Sequence, residues 1–335
     1  MKLESLEENE LISAIRREFS GRNPDLLLGI GDDAAVVKAG KKNLIFTKDL
    51  LVEDFHFKSS LHPPYFLGRK SLNINLSDIA AIGGRPRYAL LGLALPDKMD
   101  PSWVIEYFSG LKSAARGSGV NLVGGDISEA KKIFISVTVV GEGKNILKRR
   151  GARPGDLLFV SGTLGDAKQG LILLKKAYDL GRDRKADALL KAFLDPRPQV
   201  SLGMEISRKK LASSMIDVSD GLSVDLSHLC QESGCGAEID VRRLPLSPEL
   251  RSWQRKAVDF ALHGGEDYRL LFSVPPERAG SLSLLQKKYK LTFIGRMIKK
   301  KSLYLIDQKG KKKPLKIRGY QHFRRIPDFI HHPQK

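Results

Sequence analysis

LLLGIGDDAAVV, residues 26–37, sets two adjacent aspartates between two apolar runs, with Gly29 and Gly31 beside them. Short apolar runs bounded by glycine read as buried strands, so the pair falls at a strand end. The stretch also fits GxGxxA from Gly29 to Ala34. A dinucleotide site needs backbone N–H groups facing a pyrophosphate. Two carboxylates in that turn would repel the phosphates unless a cation stood between them. The phosphate-loop motif GxxxxGK[ST] is absent.

Outward from this stretch, LLLGI (26–30), LIFTKDLLV (44–52), ALLGLALP (89–96) and IFISVTVVG (133–141) read as strands, with LVGGDI (122–127) as a shorter one. Residues 68–86 and 101–119 carry helical periodicity, the first closing on a Gly-Gly-x-Pro stop and the second on glycine. The apolar residues Leu6, Leu11, Ile12, Ile15 and Phe19 are spaced for a helix that opens the chain. Strands interleaved with helices give an α/β fold of α+β layers. RRGARPGD (149–156) is a natural boundary, and the strand–glycine turn–helix pattern resumes after it. The expected units are an N-terminal domain over 1–147, a C-terminal α/β domain over 148–308 and a basic segment over 309–335. A chain of 335 residues suits two domains.

The net charge is +19, but between Arg296 and Arg325 twelve Lys/Arg meet one acid, Asp307. Such a segment can bind nucleic acid, steer an anionic substrate or simply be a solvated surface. Aromatic residues are 7% and do not interleave with the basic ones, so nucleic acid is not the expected partner. No apolar run reaches membrane-spanning length or forms a signal peptide, and two cysteines, Cys230 and Cys235, fit a reducing compartment. The expected location is the cytoplasm, with no membrane partner.

Aspartate recurs beside Gly, Ser or Lys after apolar stretches: GDD (31–33), TKD (47–49), LSD (76–78), GGD (124–126), IDVSDG (216–221) and, late, GGED (264–267). Each alone reads as a turn or a helix cap. Asp78 is harder to explain this way, because it sits inside a helical stretch between Leu76 and Ile79, where a buried carboxylate needs a partner. Gathered into one cleft, these carboxylates would repel one another unless divalent cations lay among them. An all-oxygen donor set without a His or Cys array selects Mg²⁺ over zinc. Mg²⁺ beside glycine-rich backbone points to phosphate chemistry.

GIGDDAAVV, TKDLLVEDFHF, NLSDIAAIGGRPRYALLGLALP, LVGGDIS, RRGARPGDLLFVSGTLGDA, IDVSDGLSVDLSHL and LHGGEDYRLLF stand in this order. The ordered set, over residues 8–323, resembles the thiamine-monophosphate kinase family of the aminoimidazole-ribonucleotide synthetase superfamily. The resemblance implies a homodimer whose N-terminal domains pair into an interface β-barrel, and a C-terminal α/β domain that closes over clefts lined by both protomers or both domains. It implies transfer of the ATP γ-phosphate directly, in line, to the phosphate of thiamine monophosphate, with Mg²⁺ as cofactor. By motif, Asp33, Asp49, Asp78, Asp126, Asp217 and Asp220 are metal ligands, with Thr47 close by. Gly125, Asp126, Arg149 and Ser219 meet ATP, while His56 and Glu266 meet thiamine monophosphate. Two departures stand out. Lys48 replaces a threonine frequent at a metal site. Ile317 stands where an aromatic is usual, leaving Tyr320 or Phe323 to face the thiamine rings. SGTLGDA (161–167) looks like a phosphate loop but reads as a turn capping the next helix, and His263 reads as structural. The selenium-handling and hydrogenase-maturation branches carry an early or a terminal cysteine, which this chain lacks.

Overall fold

The computed structural model describes residues 24–320 and, before them, residues 12, 13 and 15–17. Residues 12, 13 and 15–17 are helical, as expected for the opening helix; Leu6, Leu11, Phe19 and Phe323 lie outside the described residues.

The first layer is a six-stranded sheet of β1 (Leu26–Leu28), β2 (Ala35–Ala39), β3 (Lys42–Val52), β4 (Arg85–Leu95), β5 (Asn121–Glu129) and β6 (Phe134–Gly143), in the order β1-β2-β3-β6-β4-β5. Only β4 and β5 pair in parallel. The two apolar runs of the opening stretch become different strands: β1 stops at Leu28, and AAVV enters β2, which turns through Gly40 into β3. The expectation of a buried first strand fails, since Leu26 and Leu27 are exposed at the sheet's edge.

Helices α1 (Pro64–Ala81) and α2 (Pro101–Ser118) cover one face of this sheet. Proline at the first helical position suits both, because its missing N–H would be unpaired there anyway. The period of two puts Ala89, Leu91 and Leu93 of β4 and Ile135, Val137 and Val139 of β6 against Leu67, Leu72, Leu76 and Ile79 of α1. The opposite face carries Phe46 and Leu50 of β3, Tyr88 and Leu90 of β4, and Phe134 of β6, all exposed, and β5 beside them is exposed along its whole length.

The second sheet runs β13-β12-β9-β11-β7-β10-β8, from β7 (Leu157–Ser161), β8 (Ser214–Val218), β9 (Gly236–Asp240), β10 (Arg269–Val274), β11 (Leu291–Ile298) and β12 (Leu303–Ile306) to β13 (Lys312–Pro314). It is antiparallel except where β12 pairs with β9. Around it lie α3 (Asp166–Lys175), α4 (Arg184–Leu194), α5 (Val200–Arg208), α6 (Leu222–Ser233), α7 (Pro248–Trp253) and α8 (Ala257–His263), followed by the short α9 (Pro276–Ala279) and α10 (Ser283–Tyr289). The break at DPRPQ separates α4 from α5 as the prolines require.

The basic segment enters this sheet as β13, its edge strand, with Lys312 paired to Glu238 and Lys313 to Asp307. Lys312 and Lys313 thus stand as exposed, paired charges on a solvated edge.

Helix α1 joins the layers. Ala80 and Ala81 at its C-terminal end belong to the core built by Leu202, Ile206, Phe159 and Phe272. It crosses α2 at two glycines: a Cβ on Gly68 would lie 2.0 Å from the Tyr107 carbonyl oxygen, and one on Gly110 1.8 Å from that of Tyr65. No side chain moves aside there, because the obstacle is backbone. Gly110→Ala should destabilise the protein by about 1–3 kcal/mol, measured by urea denaturation. A change under about 0.5 kcal/mol would show that the crossing adjusts freely.

Candidate active site

Asp33, Asp78 and Asp217 come from a loop, a helix and a strand, yet each offers a carboxylate oxygen within 4.8 Å of the others'. The segment NLSD (75–78) of α1 does most of the assembly. Asp78 Oδ2 accepts from Thr47 Oγ1 at 2.5 Å. Ser77 Oγ donates to Asp217 Oδ2 at 2.6 Å. Asn75 Oδ1 accepts the Asp49 N–H at 3.1 Å, while its amide donates to the Ser71 carbonyl. Thr47 and Asp49 face α1 because they share one side of β3, with Ile45 and Leu51. Lys48, between them, points to the exposed face, so no hydroxyl is supplied at that position.

The two aspartates of the opening stretch divide their tasks. Asp32 closes the loop: its carboxylate accepts the Asp33 N–H at 3.0 Å and the Arg149 N–H at 3.1 Å. Asp33 turns inward, where Oδ1 takes the Arg149 guanidinium at 2.7 and 3.2 Å. Its Oδ2 is buried without a hydrogen-bond partner among the described residues.

Burial, and then mutual repulsion, raises these carboxyls. Asp217 is pushed up to about 8 by burial and by Asp33. Asp78 is held well above the usual carboxylate range by burial and then by Asp49, Asp217 and Asp33. Asp49 rises to about 6 through burial and the nearby Glu266, and Asp32 to about 7 through burial and Asp33. Burial works against the Arg149 charge, but Asp33 and Asp32 more than offset it and the guanidinium stays protonated. A partnerless buried carboxylate oxygen in an all-oxygen, negatively charged cluster fits a hard divalent cation.

The residues expected to meet the acceptor also converge. The Ser219 carbonyl accepts the Glu266 N–H at 2.7 Å, and the Asp220 carbonyl accepts the Tyr320 N–H at 3.2 Å, so both hang from one loop after β8. The Tyr320 ring lies 6.5 Å from that of His56, whose Nδ1 accepts the Val52 N–H at 3.0 Å. Gly265 permits the close approach, since a Cβ there would meet the Ser219 oxygen at 2.6 Å. Ile317 is exposed. His263 is held by Ser223, as a structural residue would be.

Gly125 and Asp126 stand apart from this group, on the exposed edge strand β5, where Asp126 pairs opposite Gly92. Gly125 is required by packing in any case, because a Cβ would lie 1.8 Å from the Leu91 oxygen.

Three residues of the site escaped the sequence reading. Asp225, one turn into α6, is buried and accepts the Gly221 N–H at 3.0 Å; burial, then Asp220 and Asp217, hold it well above the usual range. Its signal lay in plain view, five residues after Asp220. Tyr268 is buried against the acids, and burial followed by the charge of Glu266 raises its phenol. Lys70 is buried on α1 and forms an ion pair with Glu266; a lysine in a helical stretch carries no local signal for this.

SGTLGDA is satisfied from within. Asp267 accepts the N–H groups of Gly165 at 2.7 Å and Ala167 at 3.3 Å, which occupies the start of α3. Burial raises Asp267 to about 7.

The chain matches the AIR synthase related protein N-terminal domain over residues 31–142 and the corresponding C-terminal domain over 153–308. It is 38% identical to the thiamine-monophosphate kinase of Aquifex aeolicus, covering 96% of this chain and all of that one. It is 36% identical to the thiamine-monophosphate kinase of Escherichia coli, over 89% and 93% of the two chains. Among solved structures it is similar to AaThiL complexed with AMPPCP and TMP, at a TM-score of 0.87 and 37% identity over 96% of this chain and 99% of that one. A HypE–HypF complex at 18% identity and a TM-score of 0.75 shares the fold.

A carboxyl raised by folding contributes stability that is complete below its ordinary value and is lost as pH climbs through the raised one. Asp267→Asn should therefore cost about 1–2 kcal/mol near pH 5, and the gap from the wild type should narrow as pH rises from there to about 7 and level off above it. Urea melts of both proteins across that range measure it; a gap that widens with pH would contradict the assignment.

Proposed function

The chain belongs to the thiamine-monophosphate kinase family, and from that premise we propose that it transfers the γ-phosphate of ATP to the phosphate of thiamine monophosphate, giving thiamine diphosphate and ADP. The observation that carries the reading is the convergence of Asp33, Asp78 and Asp217, with an Asp33 oxygen that has no hydrogen-bond partner among the described residues.

Both reactants are anions. The acceptor phosphate has a second pKa of about 6 and is largely ionised at neutral pH. It needs no general base. The obstacle is repulsion: two unit charges 4 Å apart cost about 4 kcal/mol at an effective dielectric of 20. Magnesium, when bound, supplies the positive charge that offsets this term and fixes the phosphates for attack. Asp33, Asp49, Asp78 and Asp217 would hold it, with Asp220 beside them. Thr47 and Ser77 orient the Asp78 and Asp217 carboxylates. Arg149 keeps a full charge next to Asp33 and is suited to the nucleotide phosphates, and Ser219 is the further ATP contact in this reading. Transfer is direct and in line: an acceptor oxygen bonds to the γ-phosphorus as its bond to the bridging oxygen breaks, and ADP leaves. His56, Glu266 and Tyr320 receive the acceptor.

The working form in this reading is a homodimer. The support is the exposed apolar face of the first sheet together with β5, where Leu122, Val123 and Ile127 face outward. Pairing of these sheets into a barrel would cover that face and give Gly125 and Asp126 a route into a cleft lined by both protomers. The N-terminal domain over 1–147 provides this surface, and the C-terminal domain over 148–308 closes the cleft.

Incubation with ATP, Mg²⁺ and thiamine monophosphate should yield the diphosphate and ADP; hydrolysis of ATP without the diphosphate would refute the proposal. Asp78→Asn should lower turnover by about 100-fold or more. Its melting temperature in chelator should match or exceed that of the wild type, because one buried repelling charge is gone. Near-normal turnover at millimolar Mg²⁺ would remove Asp78 from the metal site.

A further inference from the structure

Lys70 is 2% exposed, an unusual place for an ammonium group. It lies in the middle of α1, seven residues before Ser77, and so on the face that meets the second sheet. Its Nζ sits 3.8 Å from the centre of the Phe193 ring and meets Oε2 of Glu266. Neither Nζ nor Oε2 has a further hydrogen-bond partner among the described residues. His62 packs against Phe193, at 5.3 Å between ring centres, and does not compete for Glu266: burial, and then Lys70, lower it to about 3, leaving it neutral.

Glu266 itself stands at φ +72, in the left-handed region that a non-glycine residue occupies only where its surroundings impose it. Its backbone is fixed by the Ser219 carbonyl, and one carboxylate oxygen by Lys70. The side chain remains 34% exposed even though Oε2 is buried, so the atom that meets Lys70 is not the part that meets solvent. Without a cation behind it, this carboxylate would face Asp49, whose own carboxyl already feels its charge.

We propose that Lys70 is a positioning residue for acceptor recognition: it pins Oε2 of Glu266 so that Oε1 is presented, in one orientation, to an N–H-bearing or cationic heteroaromatic part of the acceptor. The inference rests on the thiamine monophosphate reading of the cleft. Lys70 touches no reactant and performs no chemistry. It sets the direction of the group that does the recognising, in place of the mobile placement an unpinned glutamate would have.

Steady-state kinetics on the full chain with ATP, Mg²⁺ and thiamine monophosphate test this in Lys70→Met, Glu266→Gln and the double variant. Methionine keeps the stem and the contact with Phe193 while removing the charge. The expected result is a KM for thiamine monophosphate raised by about 10- to 100-fold in Lys70→Met, with the KM for ATP and kcat within about threefold. Added to Glu266→Gln, Lys70→Met should change the acceptor KM less than twofold, because Lys70 acts only through the carboxylate. The double variant buries no unpaired charge, so it keeps the test open if Lys70→Met alone misfolds. Equal effects on the KM for ATP and for the acceptor, independent multiplication of the two effects, or an unchanged acceptor KM would each overturn the role of Lys70 with the kinase reading intact. A wild-type protein that forms no thiamine diphosphate would overturn that reading and the inference with it.

Discussion

Helix α1 is enclosed by the first sheet, by α2 and by the second sheet, yet it carries Lys70, Asn73, Asn75, Ser77 and Asp78. A buried polar group without a partner costs more than most single contacts return. Each of these side chains therefore takes its partner from whichever element lies next to it. Asn75 reaches β3, Ser77 reaches β8, Asp78 reaches Thr47, Lys70 reaches Glu266, and Asn73 reaches Asp195 and the Pro196 carbonyl. Satisfying one helix aligns the two sheets against each other, and the alignment is the cleft. The glycine contact with α2 and the packing of Ala80 and Ala81 against α5 hold the helix in the position these bonds need.

The acidic cluster follows from the same enclosure. Asp33, Asp78 and Asp217 lie where burial disfavours their charge; Asp78 and Asp217 are raised further by acidic neighbours, whereas Arg149 offsets part of the cost at Asp33. Arg149 relieves one oxygen of Asp33, and the other has no hydrogen bond among the described residues. Such a site is poorly explained as a stabilising feature of the protein by itself, and well explained as a socket for a hard cation. The hydroxyls of Thr47 and Ser77 stiffen the socket, since each holds one carboxylate oxygen in place.

Across the cleft, the loop after β8 does the work of a shared anchor. Its carbonyls hold the backbone of Glu266 and Tyr320, and the same segment bears Ser219 and Asp220. Groups suited to the nucleotide, the metal and the acceptor thus depend on one turn. The turn is pinned from below by Asp225, which accepts the Gly221 N–H and fixes the entry to α6. The carboxylate that looks like part of the GGED motif's chemistry, Asp267, is spent instead on the first N–H groups of α3.

Local patterning was enough to read the α/β character, the break at DPRPQ and two helices, expected over 68–86 and 101–119 and found at 64–81 and 101–118; the aspartates expected at strand ends instead lie inside strands at Asp49 and Asp126 and inside a helix at Asp78. The legible features depend on periodicity, on proline and glycine, and on the chemistry of adjacent residues, which the chain carries in order. The recurrence of aspartate beside glycine and serine was also legible, and with it the expectation of a cation. Residue type does not decide between Asp32 and Asp33; the family motif points to Asp33, and the fold turns that one inward. The chain order does not contain Lys70 as a site residue either, since its partner lies 196 positions away. Asp126 looks like its counterparts in sequence and stands apart from them in space, on an exposed edge strand. Sequence determines which groups are available; only tertiary structure decides which share a dielectric, because burial and proximity, not residue type, set the cost of a charge.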